Sequence, residues 1–367
     1  MREFLILEIF SGLGMGGAEK SFLNRYRYQN PFFRTIALNR RPDIDGWNFP
    51  PDLEVVTCSK SLYGSLQSFI LLLRHLNPDV VIVRTPIDAI IASLSRIICR
   101  KSRFFLVFEA HSVVVSLNKF ASLPITFLLK LIHKRIDLIF AVSKAVQLGP
   151  LCRGHNHVVV HYLGSDISLP NIDFSGLLSP RLLLLGRLIK SKQPDLLVRV
   201  LNDINSLFPL PNDFLSIVGT GPLFDPLTKM ISDYDLRRVI KLYGNQFDIT
   251  PFLLSHTHLV SCSTVEGLSL TFFEAKLAGL KIVSTPAGGG VEILDSHDII
   301  VPDFEFNSIR HAIITVLESG VVAGSEREEI VKKAQWMKTS RTSKYYYQTL
   351  YSEVKKNQAQ VENPPLV

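Results

Sequence analysis

Cysteine is scarce in this chain. There are four in 367 residues, Cys58, Cys99, Cys152 and Cys262, and no two of them form a C-x-x-C pair. That scatter argues against a structural zinc site and against a disulfide framework, and it points to a reducing compartment, hence a cytoplasmic protein. No stretch of about 18 residues is free of charge, so no membrane span is expected. The N-terminal run Phe4–Phe10 contains Glu8 and lacks a small-residue cleavage site, so it reads as a first strand rather than a signal peptide. Acidic residues are the minority, 33 against 40 Lys and Arg, which leaves a formal charge of +7. Such a balance favours anionic partners, nucleotide phosphates or acidic lipid headgroups among them. Nucleic acid is not expected, because the positive charge is dispersed and no helix-turn-helix or zinc pattern is present. A persuasive metal signature is missing too. Asp43-x-Asp45 lies in a Pro/Gly turn and Asp233-x-Asp235 at a helix end, so both spacings read as chance and no metal or other cofactor is expected.

What is present describes a globular α/β chain. Hydrophobic residues make up 47% and charged ones 20%, which excludes a largely disordered protein. The mean hydropathy of +0.22 is on the apolar side and leaves room for an apolar surface patch. The length predicts two domains of roughly 150 to 190 residues each. Strand and helix signals alternate from the N-terminus: Phe4–Phe10, FFRTIAL, LEVVT, a helix over Leu62–Leu76, VVIVR, a helix near Ile87–Cys99, Phe104–Phe108 and Leu138–Val142. Regular patterning stops near residues 166–180, which read as an interdomain linker between an N-terminal domain (1–165) and a C-terminal one (181–340). Residues 341–367 read as a terminal helix and tail, and the role of Tyr345, Tyr346 and Tyr347 there stays open. The helix Pro124–Ile136 is basic and amphipathic, a form that suits either a solvated face or an anionic membrane surface.

The stretch from Thr257 to Glu292 carries most of the chemistry. It reads as one βαβ unit: strand His258–Cys262, helix Leu270–Ala278, Gly279 as the C-terminal cap, and strand Lys281–Thr285. Glu266 stands in the loop before the helix and Glu274 about one turn inside it. Because the helix is apolar on nearly every side, a carboxylate there is costly unless something pairs with it. Two readings stay open on spacing alone: an ordinary loop acid with Glu274 and Lys276 on a narrow solvent face, or a ligand site. Gly267 and a helix start near Ser269 favour the second, since free backbone N–H groups and the positive helix end suit an anion such as phosphate. Upstream, a turn at Gly186 carries Arg187 and Lys192, a pair that could clamp a pyrophosphate. The glycine loop before Ala18 does not meet the strict dinucleotide fingerprint. His111 follows a strand end, where open α/β sheets place function.

These pieces resemble the glycosyltransferases group 1 family, retaining enzymes of the GT-B fold (family-4 type). The likeness is an ordered series: GGAEK (Gly16–Lys20), EAHS (Glu109–Ser112), FAVSKA (Phe140–Ala145), GSD (Gly164–Asp166), GRLIKSK, VGTGP with Gly219, VEGLSLTFFEA with its Glu, seven residues, Glu spacing, and GGGVE. The resemblance implies two Rossmann-like α/β domains facing each other across a central cleft, an acceptor side in the first and a nucleotide-sugar side in the second. It implies that Arg187 and Lys192 hold the diphosphate of a UDP- or GDP-linked sugar, and that Glu274 binds the ribose. Glu266 would contact the donor sugar, and Gly267, Leu268 and Ser269 would lend backbone amides. His111 would lie by the transferring sugar, and Gly16 and Gly17 would close a loop over donor and acceptor. The catalytic set would then be Glu266, His111, Arg187 and Lys192, and Gly219 would fall on the donor side. A glycan or lipid-linked acceptor is the expected partner, and peripheral contact with an anionic membrane, on the inner face of the plasma membrane, rests on the basic helix and the overall charge. A nucleotide-sugar epimerase, or a silent nucleotide-binding protein of this architecture, is the alternative. Leu163, Leu268-Ser269 and the glycine-free ILDSHDIIVPDF depart from the family pattern and bear on donor preference.

Overall fold

A computed structural model of the chain describes residues 3–10, 17–29, 31–39, 50–57, 62–99, 103–113, 132–167, 169, 179–320 and 322–362. The chain divides into two compact units, Met1–Gly164 together with Thr339–Val367, and Ser165–Lys338. Most of the linker expected at 166–180, residues 168 and 170–178, lies outside the described residues, as do Gly16 and Pro124–Leu131 of the expected basic helix. The described end of that helix is a single 3-10 turn, His133–Arg135, in which His133 is buried with Nε2 at 3.1 Å from the Leu151 carbonyl.

In the first unit, strands β1 (Phe4–Phe10), β2 (Phe33–Asn39), β3 (Glu54–Thr57), β4 (Val80–Val83), β5 (Phe105–Ala110), β6 (Leu138–Ala141) and β7 (Val158–Val160) form a parallel sheet in the order β3-β2-β1-β4-β5-β6-β7. Its connections include helices α1 (Gly17–Tyr26), α2 (Leu62–Leu76), α3 (Pro86–Ile98) and the short α4 (Lys144–Gln147). Central strands such as VVIV of β4 are buried at every residue, as a parallel sheet covered on both faces requires. The order reverses between β1 and β4, which marks a switch point at the carboxyl edge.

The second unit repeats the scheme. Strands β8 (Leu182–Leu185), β9 (Leu215–Val218), β10 (Ile240–Gly244), β11 (His258–Ser261), β12 (Lys281–Ser284) and β13 (Ile299–Ile300) run in the order β10-β9-β8-β11-β12-β13. They alternate with α5 (Pro194–Leu207), α6 (Phe224–Asp233), α7 (Thr250–Ser255), α8 (Leu270–Leu277), α9 (Phe306–Glu318) and α10 (Gly324–Lys333). Here the switch point falls between β8 and β11. The βαβ unit expected over Thr257–Glu292 is present, with β11 and β12 parallel in the register His258 to Lys281. Gly279 takes φ +76°, the left-handed turn that ends α8.

The last helix, α11 (Thr339–Glu362), returns to the first unit. Tyr346, Tyr347, Leu350 and Val354 lie on one stripe of it, at the spacing that keeps side chains on one helix face. They are buried in a core with Phe4, Phe33 and Phe105. The open question of the tyrosine cluster is thereby answered for two of its members, while Tyr345 stays 52% exposed.

Three buried histidines set an acid limit on this fold. His258 is held down at about 3 by burial and then by Lys281. His161 is held at about 3 by burial and then by Arg25. His256 is held at about 4 by burial, against a hydrogen bond to the Phe252 carbonyl that works the other way. Each therefore stays neutral in the fold and charges in the unfolded chain below its ordinary value of 6.5. Because the unfolded state then binds more protons, this stability is complete above that value and is lost as pH falls toward the folded values. The slope reaches at most about 1.4 kcal/mol per pH unit for each histidine. Urea unfolding at a series of pH values should show the midpoint falling from about pH 6.5 downward, and a flat midpoint to about pH 5 would contradict the burial argument.

Candidate functional site

Strand β8 ends on Leu185, and the chain bends at Gly186 against the loop that follows β9. Gly219, just past β9, packs so closely on this turn that a Cβ there would sit 1.9 Å from the Gly186 carbonyl oxygen, and its φ is +142°. The Leu188 amide donates to the Thr220 carbonyl (2.9 Å) and the Leu223 amide to the Leu188 carbonyl (3.0 Å), so the VGTGP turn braces the GRLIKSK turn from behind. Gly219, read as a donor-side residue, has this packing reason for being glycine.

The braced loop ends in a 3-10 turn, Lys190–Lys192, before Gln193 enters the left-handed region and Pro194 opens α5. Lys192 projects from this turn onto Glu266, its Nζ bonded to Oε1, and the Ser263 hydroxyl donates to the same oxygen at 3.0 Å. Backbone bonds tie the two loops together. The Thr264 amide donates to the Ser191 carbonyl (2.8 Å), and the Gly289 amide of the GGG turn donates to the Glu266 carbonyl (3.2 Å). Thr285 Oγ1, past the end of β12, donates to the Ser263 carbonyl at 2.6 Å.

Helix α8 starts at the same place. Its N-cap, Ser269, makes no side-chain capping bond and instead shares a 2.9 Å contact with the Thr271 hydroxyl, leaving first-turn N–H groups without a side-chain cap. Gly186, Arg187, Lys192, Ser263, Glu266, Ser269 and Thr271 line one pocket over the ends of β8 and β11. Two cations, one carboxylate, the hydroxyls of Ser261, Ser263, Ser269 and Thr271, and the positive end of a helix thus share a concave site at the switch point. An anion carrying hydroxyl-rich groups fits that set: the cations and helix end take the charge, and the carboxylate accepts hydroxyl hydrogens.

Not every expected residue is in this pocket. Arg187, Lys192, Glu266 and Ser269 line it; Gly267 and Leu268 flank it without lining it, and Glu274 is buried deeper on α8 at 2% exposure. The alternative of a solvent face shared by Glu274 and Lys276 is excluded, since Lys276 is 1% exposed and paired with Asp298 (2.5 Å) and Asp295 (3.2 Å). Ser263 and Thr271 went unread, although the run SCSTVEG places hydroxyls beside the acid.

His111 and Gly17 belong to the first unit. Gly17 is the first residue of α1, and Gly16 is outside the described residues. His111 follows β5, with Nε2 3.6 Å from Glu109. Behind it lies a buried ionic cluster at the carboxyl edge. Arg25 reaches Glu109 (2.8 Å) and Glu8 (3.3 Å), while Arg84 pairs with Glu8 and reaches Glu109 (2.8 Å). The Tyr346 hydroxyl donates to Glu109 at 2.5 Å and its ring lies 3.9 Å under the Arg25 guanidinium. Burial pushes the Glu109 carboxyl up, and Arg25 and Arg84 more than reverse this, holding it well below the usual carboxylate range.

Comparison with known proteins agrees with the geometry of the second unit. Residues 176–337 match the family model described as Glycosyl transferases group 1. A stretch of 134 residues is 30% identical to the GDP-mannose-dependent alpha-(1-6)-phosphatidylinositol monomannoside mannosyltransferase of Mycolicibacterium smegmatis, covering 34% of this chain and 35% of that one. The chain thus aligns over about a third of that relative's length. Among solved structures, HepE of Anabaena in complex with UDP superposes with a TM-score of 0.72 at 17% identity, over 95% of this chain and 100% of that one. The lipopolysaccharide outer core galactosyltransferase WaaB gives 0.73 at 16% identity, over 95% and 99%. At such identities the likeness shows the fold, two parallel-sheet α/β domains of the GT-B class.

Proposed function

Since residues 176–337 match the Glycosyl transferases group 1 family model, we propose that this chain is a retaining glycosyltransferase that moves a sugar from a UDP- or GDP-linked donor to a glycan or lipid-linked glycan. The observation that carries the proposal is the meeting of Arg187, Lys192, Glu266 and the α8 N-terminus in one pocket. In this reading Arg187, Lys192 and the helix end hold the diphosphate and stabilise the charge that grows on it as the sugar leaves. Lys192 exchanges its contact with Glu266 for phosphate oxygens, which frees the Glu266 carboxylate to accept hydroxyl hydrogens from the donor sugar. Glu274 binds the ribose, and His111 with Gly16 and Gly17 serves the transferring sugar and the acceptor. No protein nucleophile is required, because the departing phosphate helps take the proton of the acceptor hydroxyl. The acceptor class is supported by the activities for which the mycobacterial relative and the lipopolysaccharide galactosyltransferase are named. The scattered cysteines support a reaction in the cytoplasm, on the inner side of the membrane where a lipid-linked acceptor would be met.

A thermal-shift panel of nucleoside diphosphates and nucleotide-sugars tests the donor site. A ligand at a hundred times its Kd should stabilise the protein by about 2.7 kcal/mol, and the preferred base should stand out from the others. Incubation of that donor with lipid-linked glycans should then yield a product that keeps the donor's anomeric configuration. A panel without any shift would remove the donor site, and interconversion of the nucleotide-sugar without transfer would assign an epimerase instead.

A further inference from the structure

Helix α3 carries most of its large apolar residues on its exposed side. Its buried side is made mostly of small and polar residues, Asp88, Ala89, Ala92, Ser93 and Ser95, with Ile91 as the one large apolar side chain. Its outer side, at the i, i+3, i+7 and i+11 positions that share one helix face, carries Ile87, Ile90, Leu94 and Ile98, with Ile97 beside them. Ile87 is 39% exposed, Leu94 42%, Ile97 42% and Ile98 52%, while Ile90 is half-buried. A surface helix of a globular protein has the reverse arrangement. Helix α2 packs beside α3 and adds Leu71, 64% exposed. Scattered apolar residues on a surface need no explanation, but a whole helix face does.

Among the described residues of α2, α3 and their flanks, the exposed charge next to this face has one sign. Helix α2 has no acidic residue and presents Arg74 and His75 to solvent, one turn from Leu71. The acid of α3, Asp88, is buried against the Thr85 hydroxyl at 2.6 Å. Asp79 is turned inward onto the Leu5 amide, and Asp137 is taken up by Arg96 at 2.8 Å. Arg103, beyond α3, is exposed. An apolar helix face with a basic rim matches an anionic bilayer surface, in which the side chains enter the acyl boundary and the cations meet headgroups. A second copy of the chain fits less well. A two-fold contact would set basic rim against basic rim, with no exposed acid on these helices to pair with them. Spanning is not at issue, for the 13 residues of α3 reach only about 20 Å, and among the described residues no helix is long and apolar enough to cross a membrane.

We propose that the outer face of α2 and α3 is a docking surface for an anionic membrane, with Leu71, Ile87, Leu94 and Ile98 inserting and Arg74 and Arg103 contacting headgroups. It lies in the first unit, uses none of the donor-site residues, and goes beyond the assignment of a reaction. Co-sedimentation of the full chain with vesicles of equimolar phosphatidylcholine and phosphatidylglycerol, against pure phosphatidylcholine, tests it. Wild-type protein should bind the anionic vesicles in a salt-sensitive manner and pure phosphatidylcholine weakly. Leu94→Asp combined with Ile98→Asp should weaken that binding at least tenfold, and Arg74→Glu should weaken it about fivefold or more. Both positions of the double variant are exposed, so its melting temperature and its nucleotide thermal shift should match wild type. Wild-type protein that ignores anionic vesicles, or variants that bind them as wild type does, would overturn the proposal. A wild-type dimer that these substitutions split, with vesicle binding unchanged, would reassign the face to self-association. Vesicle binding without any nucleotide shift would leave this surface standing and sink the donor-site reading alone.

Discussion

Arg25→Ala should cost the first unit about 3–5 kcal/mol. The reason is what the substitution leaves behind. Glu8 and Glu109 have side chains 0% and 4% exposed, and they share two guanidinium groups, those of Arg25 and Arg84. Without Arg25, one cation faces two buried carboxylates, and a carboxylate cannot be left charged in such a place without a large penalty. The Tyr346 ring also loses the guanidinium stacked on it at 3.9 Å. The intact cluster need not add net stability over an apolar replacement of the same volume, because desolvation offsets much of the attraction. Only the half-dismantled cluster is expensive. For a unit of this size each kcal/mol moves Tm by about 2–4 °C, so a fall of roughly 6–20 °C follows. Differential scanning calorimetry should show that fall in the transition of the first unit, with the transition of the second unit and its nucleotide-induced shift retained. A loss within about 1 kcal/mol of wild type would show that water reaches the cluster and that its burial has no energetic consequence.

None of that cluster was legible in the sequence, and the reason is separation. Glu8 entered only as the charge that argues against a leader, Glu109 only as the first residue of EAHS, Tyr346 as one of three adjacent tyrosines, and Arg25 was not singled out. The bond from Tyr346 to Glu109 spans 237 positions, and local periodicity carries no information over such a distance. By contrast, the βαβ unit of Thr257–Glu292 was legible residue by residue, because strand, helix, cap glycine and returning strand are each local signals. The donor pocket lies between these cases. Glu266 and the α8 start are local, whereas Lys192 meets Glu266 across 74 positions, and it was the family resemblance that joined them. Lys276 shows the limit of spacing in the other direction. Its charge suggested solvent, but Asp298, on the approach to β13, lets it be buried. Helix α3 was predicted as a helix, yet which of its faces looks outward was not readable, since Ile and Leu carry the same signal on either side.

Lys192→Ala should lower kcat/KM for the nucleotide-sugar by at least tenfold and toward about 10²–10³-fold, which corresponds to about 2.7–4 kcal/mol of lost transition-state stabilisation. Folding should survive, because Lys192 is 27% exposed and such a pair with Glu266 adds little to stability after solvent screening. What is lost is a preorganised charge. The 3-10 turn at Lys190–Lys192, braced by Gly219 and tied to Thr264, holds the lysine at the pocket, so once it has exchanged Glu266 for phosphate oxygens no further reorganisation is needed when the leaving diphosphate gains charge. If Lys192 acts on that growing charge, kcat falls more than KM rises; if it only holds the donor, the loss sits in KM. Lys192→Arg should restore part of the activity, since charge is kept while the point geometry is not. Glu266→Gln gives the complementary test. The Ser263 and Lys192 contacts can persist on the amide oxygen, so a large loss of transfer with normal diphosphate binding would place the carboxylate on the sugar and the lysine on the phosphate. Activity of Lys192→Ala within twofold of wild type would remove the lysine from the reaction and leave Arg187 and the α8 N-terminus to carry the diphosphate.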